Sequence, residues 1–222
     1  MLDIQAGIKA LAVRNTATLR ELRRKHSRAL QPASAAKVWR IARVLMADTG
    51  SRWIGFEIVR NHAAAFAQVD SKKLEELGHG MDSWWSVDQF ARILAGPAWL
   101  NGQVPDKTVA RWARSEDCWW RRAALVSTVA LNTPSDGGRG DTARTLAICR
   151  LLATDRDDMV VKALSWALRA LAPRDPAAVR SFLEDWGATL APRVRREVTN
   201  KLKTGLKTPG GAHSKRNLRA RT

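Results

Sequence analysis

Two short segments hold most of the chemistry this chain can offer: Asp82-Ser83-Trp84-Trp85-Ser86-Val87-Asp88 and Ser115-Glu116-Asp117-Cys118-Trp119-Trp120-Arg121-Arg122. Each opens a predicted helix and sets tryptophans beside charged residues. Asp82 or Ser83 is a good N-cap, which puts Trp84 in the first turn and Asp88 one turn later on the same face. Val87, Phe90, Ala91 and Leu94 mark the buried side, and Asp88 falls about a quarter-turn away from it. Indole faces beside a carboxylate suit a cationic, electron-poor group, whereas a guanidinium such as that of Arg122, with Arg121 next to it, suits a phosphate. Plainer readings exist for each. Asp88 could serve only as an acid favoured near a helix start, and Arg122 only as a surface ion pair with Glu116 or Asp117. Trp85, Trp119 and Trp120 are expected in the core.

Trp166 is a third notable position. Val160, Leu164, Ala167, Leu168 and Leu171 form an apolar stripe, and Trp166 points about 140° away from its centre, between Lys162 and Arg169. A large indole on a polar face either stacks on a sugar or base or packs beneath a neighbouring repeat.

The elements that must position these residues are all read as helices. Val38, Ile41, Ala42 and Leu45 recur at helical spacing, as do Trp119, Ala123, Val126 and Ala130. Breaks are expected at Gln31-Pro32, Thr49-Gly50-Ser51, Gly78-His79-Gly80, Gly96-Pro97, Pro105-Asp106, Pro173 to Pro176 and Ala191-Pro192. The longest loop, Thr133 to Gly140, is expected to be flexible. Asp117 through Ala124 aligns with Asp157 through Leu164, placing Arg122 over Lys162. Such an offset, about 40 residues, is near the period of HEAT-like helix pairs. The expected fold class is therefore all-α: an irregular HEAT-like helical-repeat solenoid over residues 1–205, with a basic concave face for binding, followed by a basic, disordered tail over 206–222.

Charge narrows the partners. Lys and Arg number 38 against 21 Asp and Glu, a formal net charge of +17, which places nucleic acid ahead of acidic proteins as the partner. Charge alone does not separate DNA from RNA. A protein-binding scaffold would call for a neutral or acidic concave face. The N-terminus has no signal-peptide pattern, and no apolar run approaches the roughly 20 residues a membrane span needs. Cys118 and Cys149 form neither a disulfide framework nor a metal motif, and His26, His62, His79 and His213 add no ligand spacing. The expectation is a monomer in a reducing cytoplasm, associated with the nucleoid, that needs neither metal nor cofactor.

Taken in order, Ser-Trp-Trp-x-Val-Asp, Trp-x-Arg-Arg-Ala-Ala and Lys-Ala-Leu-x-Trp-x-Leu-Arg resemble the AlkD-type alkylpurine DNA glycosylases, a family of HEAT-like-repeat DNA alkylation repair proteins. The resemblance runs from about Arg52 to Lys203. It implies a DNA repair enzyme that cups double-stranded DNA and excises cationic alkylated purines such as 3-methyladenine and 7-methylguanine. It also implies action without a base-binding pocket. By the same resemblance Asp88 is the catalytic residue, Trp84 and Trp166 contact the lesion nucleotide, and Arg122 contacts the DNA backbone. Lys162 and Arg169 match basic positions that face DNA. The alternative is a non-enzymatic helical-repeat DNA-binding relative, which would share the charge and fold without needing Asp88. The chain departs from the family at position 85, a Trp where many relatives carry Asp, and in having no tyrosine.

The tail holds Lys207, Lys215, Arg216, Arg219 and Arg221 and no acid. If it contributes phosphate contacts, truncation at Lys207 will lower affinity for duplex DNA and flatten the slope of log affinity against log salt. Fluorescence anisotropy across a salt series measures both, and an unchanged slope would mean that the tail does not touch DNA.

Overall fold

The computed structural model describes residues 4–13, 15–48 and 50–209. Tail residues 210–222, including Lys215, Arg216, Arg219 and Arg221, lie outside the described residues. Every regular element among the described residues is helical, and the chain forms an all-α helical-repeat fold. It divides into two compact units, Met1–Pro105 and Asp106–Thr222.

The first unit contains α1 (Ile4–Lys9), α2 (Thr16–Leu30), α3 (Ala35–Met46), α4 (Arg52–Arg60), α5 (Ala63–Phe66), α6 (Ser71–Gly78), α7 (Trp84–Gln89), a π turn (Phe90–Ala95) and α8 (Gly96–Leu100). At its centre α4 buries Trp53, Ile54, Gly55, Phe56, Ile58 and Val59, so that nearly its whole circumference is apolar and enclosed. It packs on α2, α3, α5, α7 and the π turn. Gly55 permits the closest approach. A Cβ there would sit 2.8 Å from the Ala42 carbonyl oxygen and 2.7 Å from Met46 Cγ, so any larger residue would push α3 off α4. The Arg23–Glu57 ion pair, at 2.5 Å and mostly shielded from solvent, ties α2 to α4 as well.

One expected break is not a break. The helix that begins at Trp84 runs through Gly96-Pro97 to Leu100 by passing through the π turn, in which the Gly96 N–H donates to the Ala91 carbonyl five residues back. Proline has no N–H to donate, and its ring clashes with the carbonyl four residues earlier. A widened π turn immediately before Pro97 accommodates both demands without ending the helix.

The second unit contains α9 (Asp106–Trp112), α10 (Cys118–Asn132), a 3₁₀ turn (Pro134–Asp136), α11 (Thr142–Leu151), α12 (Asp158–Leu171), α13 (Pro176–Trp186) and α14 (Pro192–Thr204). Successive α10, α12 and α14 pack against one another, with α11 against α10 and α12 and α13 against α12. The 40-residue offset read from the sequence is visible in the caps. Asp117 accepts from the Trp119 N–H at the start of α10, and Asp157 accepts from the Met159 and Val160 N–H groups at the start of α12. Asp141 and Asp175 cap α11 and α13 in the same way. At the far end, α14 stops at Thr204 because Gly205 adopts a left-handed conformation at φ 74°.

The Thr133–Gly140 loop is tied down rather than loose. Gly138 and Gly140 donate to the Thr133 and Leu131 carbonyls, each at 3.0 Å. Buried Asn132 organises the rest. Its amide donates to Thr128 O at 2.9 Å and Thr145 Oγ1 at 2.8 Å, its Oδ1 accepts from the Asp141 N–H at 3.1 Å, and its backbone carbonyl accepts from Arg174 Nε. No helix among the described residues is long and apolar enough to cross a membrane. Replacing Asn132 with Ala leaves the Thr145 hydroxyl and the Asp141 N–H short of a buried partner. We expect Asn132→Ala to lower stability by about 2 kcal/mol, read as a reduced urea midpoint.

Candidate functional site

The first unit presents Trp84, Trp85 and Asp88 on α7. Ser83 caps this helix through a reciprocal arrangement: its hydroxyl accepts from the Ser86 N–H, while the Ser86 hydroxyl accepts from the Ser83 N–H, both at 3.4 Å. The loop before the cap is held by Arg52. Its Nη2 donates to the His79 carbonyl at 3.4 Å, burial pulls its pKa below the ordinary arginine value, and the nearby Asp82 carboxylate opposes that shift. Val87 and Phe90 are fully buried, and Phe90 packs edge-on against Phe56 of α4 with ring centroids 6.1 Å apart. Only one helix face can follow Val87 inward, so the opposite face of α7 stands in solvent.

Trp84, in the first turn of α7, is 53% exposed, and Asp88, about a quarter-turn from Val87, is partly exposed. Trp85 does not join the core as expected. It is 50% exposed and meets Trp84 edge to face, with ring centroids 5.8 Å apart and planes at 86°. The reason was present in the sequence: Trp85 precedes Val87 by two residues, which puts it about 160° around the helix from that buried side chain. Trp119 and Trp120 are half-buried, and Trp120 lies 5.2 Å from the buried Trp112, within the packing of the second unit.

The second unit gathers Arg122 on α10 with Lys162, Trp166 and Arg169 on α12. Arg122 is buried, and its Nη1 donates to the Met159 carbonyl at 2.6 Å, so this guanidinium joins α10 to the first turn of α12. Its neighbour Arg121 takes up the acidic surroundings, donating to the Ser115 and Glu116 carbonyls and, through Nε, to Asp155 at 2.7 Å. Lys162 pairs with Asp158 at 2.6 Å, and Arg193 of α14 approaches the same carboxylate at 3.4 Å. The Lys162 hydrogen bond is the largest cause of a lowered Asp158 pKa, with Arg193 contributing.

Arg169 is mostly shielded. Its Nε donates to Ser165 Oγ at 3.1 Å, and Ser165 in turn donates to the buried Glu197 at 2.6 Å. Glu197 also faces Arg169 at 3.9 Å and Lys207 at 3.5 Å, so this cluster joins α12 to α14. Burial pulls the Arg169 pKa down, and Glu197 opposes it. Trp166 is half-buried on α12, four residues after Lys162 and three before Arg169.

One unit thus carries half-exposed indoles and Asp88 on a single short helix, and the other holds cations in hydrogen bonds between successive helices. The family described as DNA alkylation repair enzyme matches residues 4–202. The chain belongs to that family. Membership covers both units and reaches upstream of Arg52, where the sequence motifs thin out. A comparison with curated proteins finds none that matches. Among the described residues there is no group of three or more His, Cys, Asp or Glu side chains placed to hold a metal ion. Cys149 is fully buried, and burial pushes its thiol pKa far up, which makes it an inert packing residue.

Two residues in this arrangement are not visible to periodicity: Arg52, which holds the loop before α7, and Glu197, which organises Arg169 from 28 positions away. Arg122 yields a direct test of its structural part. Because its hydrogen bond to Met159 is buried and carried by a charged donor, Arg122→Ala should lower stability by about 1–3 kcal/mol in urea unfolding, before any DNA is added. A residue that served only as a surface phosphate contact would shift stability by less than about 0.5 kcal/mol.

Proposed function

We propose that this DNA alkylation repair family member is a monomeric DNA glycosylase acting on duplex DNA. Its reaction would be hydrolysis of the N-glycosidic bond of cationic alkylated purines such as 3-methyladenine and 7-methylguanine. The observation that carries this reading is the off-core face of α7, where Asp88 sits one turn after the half-exposed Trp84 in a chain of net charge +17.

Alkylation at N3 or N7 leaves a positive charge on the purine, so the base departs without protonation by a general acid. As the bond from C1′ to the base nitrogen breaks, its electron pair neutralises the purine and positive charge develops on the deoxyribose. The Asp88 carboxylate stabilises that charge and orients a water toward C1′; the water oxygen bonds to C1′ and its proton passes to the carboxylate. One carboxylate then suffices for both tasks. Trp84 and Trp166 offer π faces to the cationic nucleotide, each contributing on the order of 0.5–2 kcal/mol. Arg122, Lys162 and Arg169 set the basic surroundings in which the phosphate backbone is held. Arg122 and Arg169 do so as rigid, internally anchored cations, which lose little side-chain freedom on binding.

Asp88→Asn keeps the shape of the side chain and removes its charge. Release of 3-methyladenine and 7-methylguanine from methylated duplex DNA should fall by at least about 10²–10³-fold, with duplex affinity nearly unchanged. Release at the parent rate would remove Asp88 from the mechanism. Tight duplex binding with no release by the unmodified protein would instead identify a DNA-binding relative that recognises duplexes without cutting the glycosidic bond.

A further inference from the structure

Trp85 is a large apolar side chain that the packing of the first unit does not use. It lies about 160° around α7 from the buried Val87, so it adds nothing to the core, and half of its surface remains in water. Asp88 follows Trp84 by four residues and Trp85 by three. On a helix these are the two neighbouring positions on either side of it, about 40° from one indole and 60° from the other. Helical side chains lean toward the N-terminus, so the carboxylate leans into the turn that carries both rings. The rings themselves stand at 86° with centroids 5.8 Å apart. Perpendicular indoles at the two helix positions that flank Asp88 define a corner that is apolar, rich in π density and acidic at its base. A neutral or anionic group gains little there, whereas a flat cation gains from all three groups.

We propose that Trp85 is a specificity-determining residue, the second wall of the nucleotide site, and that it sets the preference for a cationic alkylated purine nucleotide over an unmodified one. The proposal rests on the glycosylase reading for the identity of the ligand. Net charge +17 brings the duplex to the protein regardless of sequence or damage, and the Trp84–Trp85 corner discriminates once the duplex is there.

The test is equilibrium binding of the unmodified protein, Trp85→Ala and Trp85→Phe to two fluorescent duplexes. One carries a single 2′-fluoro-7-methylguanine nucleotide, whose fluorine suppresses cleavage of the glycosidic bond, and the other carries 2′-fluoroguanine at the same position. The ratio of the two affinities is the readout. Trp85→Ala should reduce that ratio by roughly 3- to 30-fold while leaving affinity for the unmethylated duplex within about twofold, and Trp85→Phe should keep most of it. Circular dichroism and urea midpoints matching the parent would confirm that folding is intact, as an exposed position predicts. An unchanged ratio in Trp85→Ala overturns the proposal, as does an equal loss of affinity for both duplexes or a parent protein that does not discriminate. Base release from cleavable methylated DNA separates this outcome from the glycosylase reading. Discrimination without release would leave Trp85 as a recognition residue and reject the enzyme, whereas release without a Trp85 effect would do the reverse.

Discussion

The arrangement on α7 depends on how one apolar stripe is buried. Val87, Phe90, Ala91 and Leu94 are withdrawn completely from solvent, and the edge of Phe90 meets Phe56 at the centre of the first unit. Burying a side chain of this size contributes about 1.5–3 kcal/mol, so the stripe as a whole outweighs any preference of the residues around it. With that face committed, helix geometry leaves the indole at position 85 no route to the core, while Trp84 stands exposed in the first turn of the helix. They remain exposed although each alone would favour burial, and Asp88 stays at the boundary between the packed and the solvated side. The enclosed α4 and the close approach at Gly55 extend the same logic inward, because the platform that receives Phe90 is itself fixed by a contact in which no side chain fits.

The second unit handles its cations differently. Most of a strongly basic protein's charges sit on a solvated surface, where each ion pair contributes little. Here Arg121, Arg122 and Arg169 are drawn into contacts between elements: Arg121 to the Asp155 loop, Arg122 to the Met159 carbonyl, Arg169 to the Ser165–Glu197 pair. Each joins one repeat to the next. A cation held this way resists displacement when a polyanion approaches, since its position is already set by neutral carbonyls and a buried carboxylate. The arrangement also means that the cationic character of the unit and its mechanical continuity are properties of the same side chains.

Much of this was legible from residue spacing, and the failures have physical causes. Asp82 and Ser83 before an apolar run marked the start of α7 because capping is a local interaction, settled within three or four residues. The 40-residue offset between α10 and α12 likewise survives in their matched Asp caps. What periodicity could not provide were partners distant in sequence. Arg122 finds Met159 from 37 positions away, and Ser165 finds Glu197 from 32. The loop after α10, rich in glycine and polar residues, looked loose, yet Asn132 fixes it from inside the preceding helix. Gly96-Pro97 had the composition of a helix stop, and it is instead where a helix changes gauge. Trp85, expected in the core, lies two residues from Val87, a distance that already pointed outward.

That change of gauge has a geometric consequence. A π turn contains one residue more than the α turn it replaces, and each residue of an α-helix advances the chain by about 100° around its axis. The extra residue between Phe90 and Ala95 therefore acts as an azimuthal offset between the two ends of a single rod. Its lower end, α8, keeps its bearing through Pro97 and Trp99, both buried, while its upper end points the indoles and the carboxylate along a heading that no uninterrupted α-helix of this length would reach. The direction in which the reactive face looks is thus encoded as a count of residues rather than as a contact. A single insertion or deletion within six positions would swing it through more than a quarter of a circle without altering one side chain of the site.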